Sequence, residues 1–184
     1  MNRRARSLPA SCLLATLAFL AGCATPAPAP DADVPAFDAE AAVAAIRATG
    51  KASGGELDVQ PLRDPQVTDL MAEADALEAQ RLYRAAAERL DMALEVAADD
   101  PNVLQRRAEL ALLLDEPDRA ERFALLAQAA GTEVGPLCRR HWETALQARR
   151  AGSRPPEDAG LPRVSEEEMT RRREACTVAP PPRY

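Results

Sequence analysis

From Leu70 to Ala127 the apolar and small residues return at the same places after thirty-four positions. Leu70 is matched by Leu104, Ala74 by Ala108, Ala86 by Ala120 and Ala93 by Ala127, while Leu77 and Leu90 are matched by Ala111 and Ala124. Counted from the first leucine these positions fall at +4, +7, +16, +20 and +23, a helical spacing with one phase break. The pattern predicts a helix, a turn and a helix, made twice, over units 67–100 and 101–134. Boundary residues agree: Asp100 is placed to cap a helix opened by Pro101, Pro117 opens another after Asp115-Glu116, and Gly131 and Gly135 end the block.

A third, divergent hairpin is predicted over 135–176. Its first helix is "GPLCRRHWETALQARRAG", begun by Pro136 with Trp142 and Ala145 facing inward. Its second is "SEEEMTRRREAC", in which Ser165 and Glu168 have the spacing of a capping box and the arginines suit the negative helix end. The loop "SRPPEDAGLPRV" between them is long. Upstream, 37–66 holds a short helix, "FDAEAAVAAIRATG", with Asp38 as cap and Gly50 as stop, then an irregular linker. That helix is expected to pack on the first repeat as a solenoid cap. Residues 177–184 form a tail.

The paired positions resemble the tetratricopeptide repeat, whose period is about 34 residues. The matching residues are Leu70, Ala74, Leu77, Tyr83, Ala86, Leu90 and Ala93-Leu94, then Leu104, Ala108, Ala111, Ala120 and Ala127. The chain departs from the family at the turn glycine, which is Arg81 in one unit and Asp115 in the other. It also departs at the turn aromatic, replaced by Pro117, and at the repeat-end proline, present once as a displaced Pro101. The resemblance implies an all-α fold, a short solenoid of helical hairpins whose first helices line a concave face. By that resemblance the groove residues are Met71, Asp75 and Glu78, then Asn102, Gln105, Glu109 and Leu112, then Arg139 and Glu143.

The first thirty residues form a different kind of segment. Arg3, Arg4 and Arg6 precede an apolar stretch from about Cys12 to Leu20, the order of a secretory signal peptide. Its ending, Leu20-Ala21-Gly22-Cys23, resembles the lipobox of bacterial lipoproteins. The resemblance implies removal of residues 1–22, lipid on Cys23 and a hold on the membrane through several acyl chains, one chain alone being marginal. Ala24 rather than Asp after the cysteine points by the same resemblance to the outer membrane, periplasmic face. The Pro/Ala-rich segment 23–36 lacks the apolar bulk to fold and is expected to be a disordered tether.

Of four cysteines, Cys12 lies in the signal and Cys23 is taken by lipid, leaving Cys138 and Cys176 in an oxidising compartment. They sit at the start of one helix and the end of its antiparallel partner, so a Cys138–Cys176 disulfide is expected. The rival is a redox or metal site built on Cys138-Arg-Arg-His141. His141 is the only histidine, however, and a structural zinc site wants four ligands.

Composition narrows the function. Hydrophobic residues are 47% of the chain but aromatics only 3%. A core built on alanine implies close-packed helices. Net charge is −6, and the signal-like segment holds three arginines and no acid, so the remainder carries −9. That balance excludes a typical nucleic-acid binder, which neutralises phosphates with basic residues. With one His and one Lys (Lys51), no nucleophile–base spacing and no phosphate loop in "GKASGG", no enzyme, cofactor or metal is expected. The many acids are read as solvated helix faces. The expected function is a lipid-anchored periplasmic scaffold binding an envelope protein or peptide. The alternatives are a self-assembling structural lipoprotein and a small-ligand module around Trp142.

Overall fold

The structure, a computed structural model, describes residues 36–51, 62–157 and 160–177. The signal-like segment, Cys23, the tether to residue 35, linker residues 52–61 and the tail beyond Thr177 lie outside the described residues. The chain divides after Ala36, and the helices all belong to the unit that begins at Phe37.

Seven helices occur among the described residues: α1 (Ala39–Thr49), α2 (Pro65–Ala79), α3 (Tyr83–Val96), α4 (Pro101–Leu113), α5 (Pro117–Ala130), α6 (Pro136–Arg150) and α7 (Glu166–Ala175). From α2 to α7 each packs against the next, and α4 also touches α6. None is long and apolar enough to cross a membrane.

Local chemistry sets the ends. Asp38 accepts a hydrogen bond from the Ala41 N–H, Asp64 from Gln66, and Asp100 from Asn102 and Val103. Each satisfies N–H groups that a helix start leaves without a partner. The Asp64-Pro65 start of α2 falls inside the stretch the sequence reading assigned to the linker. It precedes Asp100-Pro101 by 36 residues rather than 34, so α2 runs to 15 residues against 13 for α4. At α7 only half of the capping box forms. Ser165 Oγ accepts from the Glu168 N–H at 3.3 Å, but the Glu168 carboxylate turns to Arg171 and Arg172.

The turns ending α2, α4 and α6 are alike. Leu82 N–H bonds back to Leu77 O at 3.0 Å, Glu116 to Ala111 at 2.9 Å and Ser153 to Ala148 at 2.9 Å. Each closes a six-residue loop around one left-handed residue: Arg81 (φ 60°), Asp115 (φ 58°) and Gly152 (φ 94°).

The alanines paired by sequence face the core. Ala74, Ala86, Ala93, Ala108, Ala111, Ala120 and Ala127 are wholly buried, and Ala124 nearly so. A methyl side chain lets neighbouring helices approach closely, and Leu70, Leu90, Val103 and Leu110 fill the space between. At the far end Trp142, Ala145, Leu146 and Met169 form a second cluster. There Cys138 and Cys176 are joined in a disulfide, Cα atoms 5.7 Å apart, and Gly135 N–H bonds to Cys176 O at 2.7 Å. The start of α6 therefore lies beside the end of α7, as expected for an antiparallel pair.

The acids are not simply solvated faces. Glu109 and Glu121 are wholly buried and Glu143 is 4% exposed. Glu121 accepts from Arg149 Nε and Nη2, each at 2.6 Å, and from Ser153 Oγ at 2.6 Å, joining α5 to α6. Glu143 takes Gln147 and Arg173, joining α6 to α7. Each charge is offset by a partner, the condition for burying one at all.

Candidate functional site

The first helix sits further along than expected. It packs against α4 and α6 and reaches the first repeat through side-chain pairs, Arg47 with Glu78 and Glu40 with Arg81 and Tyr83. Its buried residues Val43 and Ile46 cluster with Ala111, Leu112 and Ala148. The carbonyls of Thr49 and Lys51 accept from Arg139 Nε and Nη2, both at 3.1 Å. Since Arg139 opens α6 and Ala148 lies near its end, α1 runs antiparallel to α6. Arginine on the last carbonyls of a helix also meets the negative end of its dipole.

At the centre stands Arg47. Its Nε donates to Glu109 Oε2 at 2.8 Å and its Nη1 reaches Glu78 Oε1 at 2.8 Å. Burial opposes its charge, yet the hydrogen bonds and fields of Glu78 and Glu109 outweigh burial and hold its pKa above the ordinary value. Glu78 is the mirror case: burial works to raise its pKa, but Arg47 and Arg106 together hold it below the usual carboxylate range. At the other end of α1, Glu40 accepts from Arg81 Nη2 at 2.9 Å and from the Tyr83 hydroxyl at 2.8 Å.

Both carboxylates that take Arg47 are also held from within the helical body. Glu109 Oε1 accepts from Arg140 Nε and Gln105 Nε2, each at 2.8 Å, and Glu78 Oε2 accepts from Arg106 at 2.9 Å. Gln105 further donates to Thr144 Oγ1 at 2.8 Å, and its Oε1 lies 2.7 Å from His141 Nδ1. An amide oxygen only accepts, so the His141 proton sits on Nδ1. Nε2 is buried without a hydrogen-bond partner. Burial, helped by the charge of Arg140, pushes the imidazole pKa down to about 3.

Gly50 ends α1 for a steric reason. A Cβ there would stand 2.6 Å from Arg140 Cδ. The stem of Arg140 crosses this point on its way to Glu109, so a side chain at residue 50 would have to displace it.

The expected groove residues separate into groups. Glu78, Glu109, Leu112 and Arg139 meet α1, and Gln105 supports Glu109 from beneath. Asp75 is exposed and pairs with Arg106, Met71 is half-buried on the α2–α3 core, and Asn102 is half-buried at the start of α4. Glu143 faces α7. Sequence reasoning missed Arg47, Arg106 and Arg140; the available signal was the lone arginine following Val43 and Ile46 on an alanine-rich helix. Trp142 and His141 are both buried, Trp142 beneath Arg172 at 5.1 Å from the ring centre. Cys138 is committed to the disulfide.

No family model, no curated protein and no solved structure matches this chain.

Proposed function

We propose that the protein is a lipid-anchored scaffold of the bacterial envelope, held at the periplasmic face of the outer membrane by Cys23, that binds a partner on the face shared by α2, α4 and α6. In this reading the hairpins are tetratricopeptide-like repeats. Two findings support that: alanines paired at thirty-four positions share burial, and the turn residues Arg81 and Asp115, at the family's glycine position, share a left-handed backbone. The disulfide fits an oxidising compartment.

The observation that carries the function is the docking of α1. A face that holds a helix by an apolar pocket, two carboxylates and an arginine on its last carbonyls is built to bind peptide rather than to react. The test is photo-crosslinking in intact cells, with the crosslinker at the exposed Asp75, which shares Arg106 with Glu78, and a control at Glu88 on the outer side of α3. Capture of one envelope protein from Asp75 alone is expected. Failure to capture any from Asp75 overturns the scaffold reading. Mass spectrometry of the membrane-extracted protein is expected to show acylated Cys23 as its first residue, and an unmodified Met1 or Cys23 overturns the anchor.

A further inference from the structure

We infer that α1 is a built-in, displaceable occupant of the peptide site, and that the partner enters by presenting a helix of the same chemistry. This rests on the scaffold reading and specifies the partner for that site. The helix has two apolar residues three apart, an arginine directly after the second, and a last turn whose carbonyls are free for Arg139. In α1 these are Val43, Ile46, Arg47 and the Thr49–Lys51 turn.

Three observations argue for displacement. First, both carboxylates of the receptor keep partners on the body without α1. Glu109 keeps Arg140 and Gln105, and Glu78 keeps Arg106, so no buried carboxylate is stranded when Arg47 leaves. The ion pairs that join body helices differ: Arg149 is the arginine that answers the buried Glu121. Second, α1 is only 11 residues long and buries three side chains, Ala42, Val43 and Ile46. A helix that short is not stable alone in water, so it is helical here through its docking. Third, the contacts read a pattern rather than a general greasiness. Charge complementarity at Glu78 and Glu109 selects an arginine at one place, and a bidentate or forked cation suits two carboxylates better than an ammonium does.

The membrane tether gives displacement a context. Cys23 precedes α1 by only sixteen residues, so the occupant is the part of the domain nearest the lipid in sequence. A partner at the membrane competes with an α1 held in the same chain, whose effective concentration is on the order of millimolar.

The inference is tested on the full chain, disulfide intact, with a specific protease site inserted within residues 52–61. The probe is a fluorescein-labelled peptide of residues 37–51, followed by anisotropy. After cleavage the labelled peptide is expected to exchange into the site and saturate. The same peptide with Arg47→Glu is expected to bind at least about tenfold more weakly, having lost two charge-assisted hydrogen bonds. Uncleaved chain is expected to bind the probe at least about a hundredfold more weakly, because its own α1 competes. Circular dichroism of the cleaved chain checks the body.

If the cleaved α1 does not exchange, if the body loses its helicity on cleavage, or if binding ignores Arg47, α1 is a fixed part of the fold and the inference is overturned. The outcome is separable from that of the scaffold reading. Capture from Asp75 without peptide exchange sinks only the inference, and exchange without capture sinks the scaffold and its partner while α1 stays displaceable.

Discussion

Arg47 and Glu109, sixty-two residues apart, meet at 2.8 Å with the carboxylate wholly buried and the arginine side chain 38% exposed. That asymmetry predicts unequal consequences for the two truncations. Arg47→Ala removes a cation from carboxylates that retain other arginines, and is expected to cost about 1 kcal/mol after allowance for its exposure to solvent. Glu109→Ala leaves Arg140, Arg47 and the Gln105 amide facing an empty place in the core, and is expected to cost roughly 3–5 kcal/mol. Urea unfolding of the two variants measures the difference. Equal losses contradict the account of Glu109 as the shared anchor.

How much of this was legible in the sequence depends on the kind of signal. Helix positions followed from alanines at fixed spacing and from Asp-Pro and Pro starts, because packing and capping act over a few residues. The disulfide followed because an antiparallel helix pair sets Cys138, at the start of one helix, beside Cys176, at the end of the other. The place of α1 did not follow. Its docking joins Glu40 to Arg81, Arg47 to Glu78 and Glu109, and Thr49 to Arg139, contacts with no period. With 29 acids and 23 bases in the chain, nothing local marks which pairs are buried. Gln105 and Glu109 read as open groove positions for the same reason: α4 is covered by α1, α3, α5 and α6, so a polar position is no sign of exposure.

The disulfide closes a separation of 38 residues around a helix, α7, that buries only Met169 of its own ten. A short helix with so little apolar contact depends on being tied. The Cys138→Ser/Cys176→Ser variant is expected to lose about 2–4 kcal/mol. Amide exchange is expected to rise first over 165–176 while α2–α5 keep their protection. A uniform loss along the chain, or none in α7, contradicts that dependence.

His141 gives the stability an acid limb of definite sign. Its imidazole has an ordinary pKa of 6.5 when unfolded and about 3 when folded, held down by burial first and Arg140 second. Between those values the unfolded chain binds the extra proton, so stability is full above about pH 6.5 and falls as pH drops, by roughly 1 kcal/mol per unit. His141→Asn keeps a donor to Gln105 and does not titrate. Its unfolding free energy is expected to change little from pH 7 to 5, while the parent loses stability over the same range. Parallel pH profiles for the two proteins contradict the assignment.

The left-handed turn residues can be improved, and the improvement tests whether the turns are equivalent. Arg81 and Asp115 hold φ near +60°, where a Cβ crowds the following carbonyl at a cost of roughly 1–2 kcal/mol for most side chains. Glycine removes that cost but adds freedom to the unfolded chain, and Arg81→Gly also gives up an exposed ion pair to Glu40. The balance for Arg81→Gly is a gain of about 0.5 kcal/mol. Asp115 is better suited to the left-handed region from the start, since aspartate tolerates it, so Asp115→Gly is expected to gain less. Gly152 already has the favoured residue at the third turn, and Gly152→Ala is expected to lose about 1 kcal/mol despite open space around it. Thermal melts of the three variants decide the matter. If glycine at 81 destabilises by as much as alanine at 152, the three turns do not share one geometry, and the hairpin equivalence behind the repeat reading fails with it.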